Sequence, residues 1–295
     1  MQVSFQSNMT EQDKKTIVVT GGAGFVGSHL CARLVTDGHR VISLDNYFTG
    51  SKDNHVEGVE YREGHTKDIA KYIQEIPDTI YHLGEYSRVA KSLNEPELVW
   101  DLNLDGTFGV LEFWRKHRCK LVYAGSSTIF ESPDIAPYTW GKATNSGLVS
   151  QYNVWYGLPY VITYFYNVYG LGERAGVNNY GTVVETFKQC YLQGKPYEVR
   201  GTGEQTRAFT HVDDTVDGIL LAAQKGMNDE YAICAREVYS LLDLAHMFGG
   251  EVTFLPPTPT TRSSGAMDTS KVEALGWKQQ HTLAEYVDAI KIQKK

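Results

Sequence analysis

Cysteine is scarce in this chain of 295 residues: four occur, Cys31, Cys119, Cys190 and Cys234, far apart and with no C-x-x-C pair. That spacing excludes a disulfide framework and a zinc ribbon, and it fits reduced thiols in a cytoplasmic protein. Long apolar runs are missing as well. The longest, such as Ile219 to Ala223, fall far short of the roughly 20 residues needed to cross a bilayer, so no membrane partner is expected. The first 15 residues are polar, lack the apolar segment of a secretory signal, and read as a flexible leader over 1–15. There is no basic excess either. Lys and Arg number 28 against 35 for Asp and Glu, a net charge of −7, which gives no global pull toward nucleic acid. The nine histidines form neither H-E-x-x-H nor a cluster with cysteine, so no metal site is expected. Repeats and low-complexity tracts are absent. What remains is a globular composition, 42% hydrophobic and 21% charged, long enough for a large α/β domain with an appendage or for two domains.

The first half alternates short β-branched runs with helical patterns. Strands are expected over 16–20 (TIVVT), 40–45, 59–62, 79–83 (TIYHL), 120–124 (KLVYA) and 160–165. Between them, Val26, Leu30 and Leu34 mark one face of a helix over 25–36, Pro96 opens a helix to about residue 116, and 138–156 reads as another. Strands alternating with helices of this length imply parallel β-α-β units in a doubly wound, Rossmann-type sheet. After Gly170 the pattern loosens. Helices are expected over 182–192, 212–224, 241–248 (capped by Ser240), 268–275 and beyond Thr282, with a strand over 197–200. This half reads as a smaller α+β lobe. The expected division is a Rossmann domain over 16–170, with 208–225 packing back on it, and a C-terminal lobe from 171–207 and 226–295.

The first strand runs straight into Gly21-Gly22-Ala23-Gly24-Phe25-Val26-Gly27, which opens the first helix. Glycines permit the tight turn and let the backbone approach a pyrophosphate, while the helix N-terminus offers N–H groups and positive dipole character. A glycine motif alone also fits a bare βα turn. Here a strand precedes it, a helix follows, and Asp45 ends the second strand 18 residues past Gly27, near the spacing that places a carboxylate on an adenosine ribose. A carboxylate accepts from a ribose 2′-hydroxyl and repels a 2′-phosphate, and the following Asn46 and Tyr47 bring no cation, so NAD is expected over NADP.

Tyr138 and Lys142 have Y-x-x-x-K spacing on an expected helix, which puts them on one face. An ammonium near a phenol favours the phenolate, which can take a proton from an alcohol. In a chain with 19 tyrosines the pair alone would mean little. Its place does mean something: it follows the fifth strand of a dinucleotide fold, just after Gly125-Ser126-Ser127-Thr128, where Ser126 can bond the same reacting hydroxyl.

With these residues in view the chain resembles the extended short-chain dehydrogenase/reductases that act on nucleotide sugars, the epimerase/dehydratase group that includes UDP-glucose 4-epimerase-like enzymes. The resemblance runs from Thr16 to about Ile292. It rests on TGGAGFVGSHL (20–30), LDNYFTG (44–50), HLGEYSRV (82–89), DLNLDGT (101–107), AGSST (124–128), YTWGK (138–142), FYNVYGLGE (165–173), GTGEQTRAFTHVDD (201–214) and LGW (275–277). It implies that Gly21, Gly24, Phe25, Val26 and Gly27 cradle the NAD pyrophosphate. Asp45 and Asn46 would meet the adenosine ribose, and Leu83, Gly84 and Asn103 would line the cofactor cleft. Ser126, Tyr138 and Lys142 form the implied catalytic trio. Asn167, Thr182, Val183, Arg207 and Arg262 would hold the nucleotide-diphosphate sugar, an arginine being suited to phosphate oxygens. A homodimer paired through the helices at 96–116 and 138–156 is also implied, with Val99, Leu102, Phe108 and Leu111 either on the shared face or, for some of them, packed onto the sheet. The chain departs from the family at Ala208 and His65, where acidic residues are usual. Glu85, Tyr86, Ser87 and Arg88 form an unusual pattern where the family meets the sugar.

The family's chemistry begins with oxidation at C4 of the sugar. Its dehydratases carry Asp-Glu after the catalytic hydroxyl residue and its decarboxylases a nearby Glu; here Ser127 and Thr128 stand in those places. The resemblance therefore points to a 4-epimerase, which returns hydride to the opposite face of the 4-ketosugar. The alternatives are a C4 dehydrogenase, reductase or dehydratase of the same family, and a non-catalytic protein that binds NAD or a nucleotide sugar.

Overall fold

A computed structural model describes residues 14–130, 133–165, 167–173, 181–258 and 266–294. Its centre is a seven-stranded sheet of parallel strands. β1 (Thr16–Thr20), β2 (Arg40–Asp45), β3 (Val59–Glu63), β4 (Thr79–His82), β5 (Lys120–Ser126) and β6 (Tyr160–Phe165) fall where β-branched runs predict them. They lie in the order β3-β2-β1-β4-β5-β6, so the winding reverses between β1 and β4. A crevice opens there at the carboxyl ends of the strands, the usual place for a ligand in such a sheet.

The outermost strand, Asp229–Ala232, pairs with β6 and was not expected from the sequence. Its residues, DEYA, carry too little β propensity to stand out. Pairing with β6 and burial of Tyr231 hold it in the sheet, although it lies in the stretch read as C-terminal lobe.

Apolar side chains leave both sheet faces. On one, Val18, Ile42, Ile80, Leu121 and Ile162 pack with Trp114 and Val149. On the other, Val19, Val41, Val122 and Val161 meet Leu30 and Leu34 of α1 (Phe25–Thr36) and Val216 and Ile219 of the helix Val212–Lys225. Trp277 of the LGW motif joins this second layer, and its indole N–H donates to the Asp214 carbonyl at 2.8 Å. A separate core of Val184, Phe187, Tyr197, Phe209, Leu244, Phe248 and Val287 packs the elements that follow β6. Ser240 and Asp243 cap the helix Leu241–Phe248 reciprocally.

The helix opened by Pro96 is interrupted. Pro96–Val99 passes through a π turn at Trp100–Asp105 into Gly106–His117. The four residues expected on one face do not share it, because at 3.6 residues per turn Phe108 lies half a turn away from Val99. Val99, Leu102 and Leu111 are buried, while Phe108 is 58% exposed. No helix among the described residues is long and apolar enough to cross a membrane.

Candidate active site

β1 ends at Thr20 and α1 begins at Phe25, so the chain must turn within Gly21–Gly24. Gly21 has φ +75°, and a Cβ there would lie 2.8 Å from the Gly84 backbone. A Cβ on Gly27 would lie 2.0 Å from the Gly21 carbonyl oxygen. Gly24 caps α1 without a side-chain bond. The result is a bare backbone cradle at a helix N-terminus, which suits a pyrophosphate. Asp45, buried at the end of β2, accepts from the Ala23 N–H at 2.9 Å and the Tyr47 N–H at 2.8 Å. Burial pushes its carboxyl up, and these two N–H groups pull the other way.

The cradle forms part of a cavity of about 510 Å³. Gly21, Gly24, Phe25, Val26, Gly27, Asp45, Asn46, Leu83 and Gly84 line it, together with Ser126, Tyr138, Lys142, Asn167, Thr182, Val183 and Arg207. Two expected residues are not among its lining. Asn103 is buried in the π turn, where its side chain accepts from the Tyr86 N–H at 2.7 Å and donates to the Tyr86 carbonyl at 3.1 Å. It shapes the loop after β4 rather than the cavity surface. Arg262 lies outside the described residues.

Ser126 is the last residue of β5, and its Oγ accepts from the Thr128 hydroxyl at 3.0 Å. Tyr138 and Lys142 lie one turn apart near the start of the helix Pro137–Tyr156, both buried. Lys142 Nζ donates to the Ala124 carbonyl at 2.5 Å and to Glu85 Oε2. Glu85 therefore turns to the lysine, instead of standing among free sugar-facing residues as its place in the sequence suggested. Burial pushes its carboxyl up, but the Lys142 charge and the hydrogen bonds around it bring it below the ordinary range. No sequence pattern signals this pair: the partners are 57 residues apart and no motif links them.

Glu173 accepts from the Thr182 N–H and hydroxyl at 2.5 and 2.8 Å, at the start of the helix Val183–Gln193. Burial pushes its carboxyl up. Arg207 lies on the strand Thr206–Ala208, and the Asn167 amide donates to the Ala208 carbonyl at 3.3 Å. Away from the cavity lining, the fold gathers His211, Asp213 and His281, a grouping the sequence reading missed. The rings of His211 and His281 stack at 4.3 Å, Asp213 pairs with His29 at 3.2 Å, and buried Asp214 fixes His281 at 3.0 Å. These contacts unite α1, the helix Val212–Lys225 and the approach to the last helix.

The family model for "NAD dependent epimerase/dehydratase family" matches residues 17–234. This chain belongs to that family. UDP-glucuronic acid decarboxylase 1 of Xenopus tropicalis is 30% identical over 94% of this chain and 71% of its own length. A putative UDP-glucose 4-epimerase of Methanocaldococcus jannaschii is 29% identical over 93% of this chain and 96% of its own. Among solved structures, a Thermus thermophilus UDP-glucose 4-epimerase in complex with NAD superposes with a TM-score of 0.83, at 27% identity over 94% of this chain and 99% of that one. The Rossmann-type sheet and the family read from the sequence are both borne out.

The cofactor of this family member is NAD, and the site fits it. The glycine cradle leaves no room for side chains, and Asp45 stands at the end of β2. Because the same carboxylate also ties the loop after β2 to the cradle, Asp45→Ala should do two things. It should weaken NAD binding and narrow the preference over NADP, and it should lower the melting temperature. Calorimetric titration with both dinucleotides checks the first; equal NAD and NADP affinity in the unaltered protein would refute this reading of Asp45.

Proposed function

We propose that the protein is a nucleotide-sugar 4-epimerase acting through a 4-ketosugar. The observation that carries this reading concerns the cavity's carboxylates. Those among the described lining residues are Asp45, Glu85 and Glu173, and each is engaged by protein donors: Ala23 and Tyr47, Lys142, and Thr182 respectively. Beside Ser126 stand Ser127 and Thr128. Elimination of water or loss of carbon dioxide would call for a further acid or base near the ketosugar, whereas inversion at C4 requires only one proton acceptor that works in both directions.

In this reading Tyr138 takes the proton from the C4 hydroxyl and returns it. Ser126 orients that hydroxyl, and Lys142 favours the phenolate. NAD, when bound, supplies the acceptor for the hydrogen leaving C4. Arg207, Asn167, Thr182 and Val183 bind the diphosphate and sugar, which makes the smaller lobe the substrate lobe and the sheet domain the cofactor domain. The four free thiols fit a cytoplasmic setting.

The test is a panel of nucleotide sugars, including UDP-glucose, UDP-N-acetylglucosamine and UDP-glucuronic acid, each followed by NMR. Inversion at C4 is expected. A pentose product with carbon dioxide would replace this reading with that of a decarboxylase, and stoichiometric NADH with a stable ketosugar would replace it with a dehydrogenase.

We also propose a homodimer. Trp100, Phe108, Trp140 and Trp155 are exposed on the two long helices, and Trp100 meets Trp140 edge-on at 5.7 Å. Exposed aromatic clusters of this kind mark contact surfaces. Light scattering at micromolar concentration should give twice the chain mass, and Phe108→Glu should shift it to the monomer. A monomeric unaltered protein would refute the dimer.

A further inference from the structure

Among the described residues, Glu85 is the buried carboxylate paired with Lys142, and the surrounding elements converge on it. Its Oε1 accepts from the Thr107 hydroxyl at 2.8 Å, the Asn145 amide at 2.8 Å and the Tyr123 hydroxyl at 3.1 Å. Its Oε2 accepts from Lys142. The donors come from the helix after the π turn, from the helix Pro137–Tyr156 and from β5, so the carboxylate is fixed from three elements at once.

The network continues behind it. Because Thr107 spends its only hydroxyl hydrogen on Glu85, it must accept from His82 Nε2, 2.9 Å away. That sets the tautomer of the neutral ring, leaving Nδ1 to accept from the Thr20 hydroxyl at 2.7 Å. The Thr20 Oγ1 in turn accepts from the Gly84 N–H at 3.0 Å. Every bond in this chain therefore points toward the Glu85 carboxylate. The cofactor cradle and the catalytic lysine are tied together through a single anion.

Four donors on one carboxylate hold it ionised, and an ionised carboxylate against an ammonium cancels much of the field the ammonium casts on its neighbours. Resting on the reading of Tyr138 as the proton acceptor, we propose that Glu85 is a positioning residue for Lys142, which anchors its ammonium and tempers the charge that ammonium presents to Tyr138. Among the described residues, the other ionisable groups against the pair are Tyr123 from β5 and His82 from β4. Burial drives the Tyr123 phenol well up and the His82 ring down to about 4, so both stay neutral around neutral pH.

The test needs no knowledge of the sugar. The ultraviolet phenolate titration of each protein, minus that of its Tyr138→Phe counterpart, isolates Tyr138. In Glu85→Gln the uncompensated ammonium should bring this titration below that of the unaltered protein. Glu85→Asp, which keeps the charge, should leave it near the original position. Glu85→Ala, with room for water at the orphaned donors, should reproduce the glutamine shift and stands in for it where the glutamine fails to fold. An unmoved or upward titration in the neutral variants overturns the proposal, as does loss of the fold in both, which would make Glu85 structural only. The reading of Tyr138 itself falls by a different result, undiminished turnover in Tyr138→Phe, so the two failures are distinguishable.

Discussion

Tyr138→Phe should lower turnover of the true nucleotide sugar by at least about a hundredfold while NAD stays bound. A positioned acid–base group typically contributes ~10²–10⁴-fold, and this substitution deletes only the hydroxyl that would carry the proton. The aromatic ring packs with Tyr86 at 6.5 Å and belongs to a small apolar cluster with Val99 and Leu102, all of which phenylalanine preserves. Little loss of stability is therefore expected, and a near-normal melting temperature beside a collapsed rate would separate chemistry from folding. Ser126→Ala should cost less, because it removes an orienting hydrogen bond and leaves the proton acceptor in place. Near-normal turnover of Tyr138→Phe would refute the mechanism whatever the sugar proves to be.

Gly27→Ala should be the most damaging of the cofactor-site changes. The new Cβ would fall 2.0 Å from the Gly21 carbonyl oxygen, which is backbone and cannot rotate away. Either the first turn of α1 moves off the sheet or the glycine turn opens, and both spoil the cradle. Overpacking of this kind costs about 1–3 kcal/mol or more. Where the strain is relieved by deforming the cradle, the upper end of that range corresponds to about a hundredfold in affinity. A titration with NAD should therefore show at least tenfold weaker binding, accompanied by a lower melting temperature. Gly147→Ala is the matching control. It lies exposed in the helix Pro137–Tyr156 with nothing within 4 Å of the added Cβ. There alanine should stabilise by about 0.5–1 kcal/mol and leave NAD binding unchanged. Equal NAD affinity in Gly27→Ala and the unaltered protein would show that the cradle tolerates a side chain.

What the sequence determined by itself was local. The β1–Gly-rich turn–α1 unit, the acidic end of β2 and the Tyr138/Lys142 spacing are set within a few residues or by regular periods of 2 and 3.6. Backbone sterics enforce them wherever they occur, so six of the seven sheet strands, α1 and the main line of the cavity wall were legible. The rest depended on residues distant in the chain. The strand Asp229–Ala232 has no pattern of its own and exists because β6 offers it an edge. Burial against the sheet takes Leu111 with Val110 and Trp114 and leaves Phe108 on the outer side of the same helix. Asn103 reads as a cleft residue but is spent on the backbone of Tyr86. Above all, Glu85 reads as an odd residue in a sugar-facing loop. Only the packing of β4, β5 and two helices brings Lys142, Thr107, Tyr123 and Asn145 around its carboxylate. A buried charge must be paired where it lies, and which partners reach it is decided by tertiary packing and by no interval along the chain.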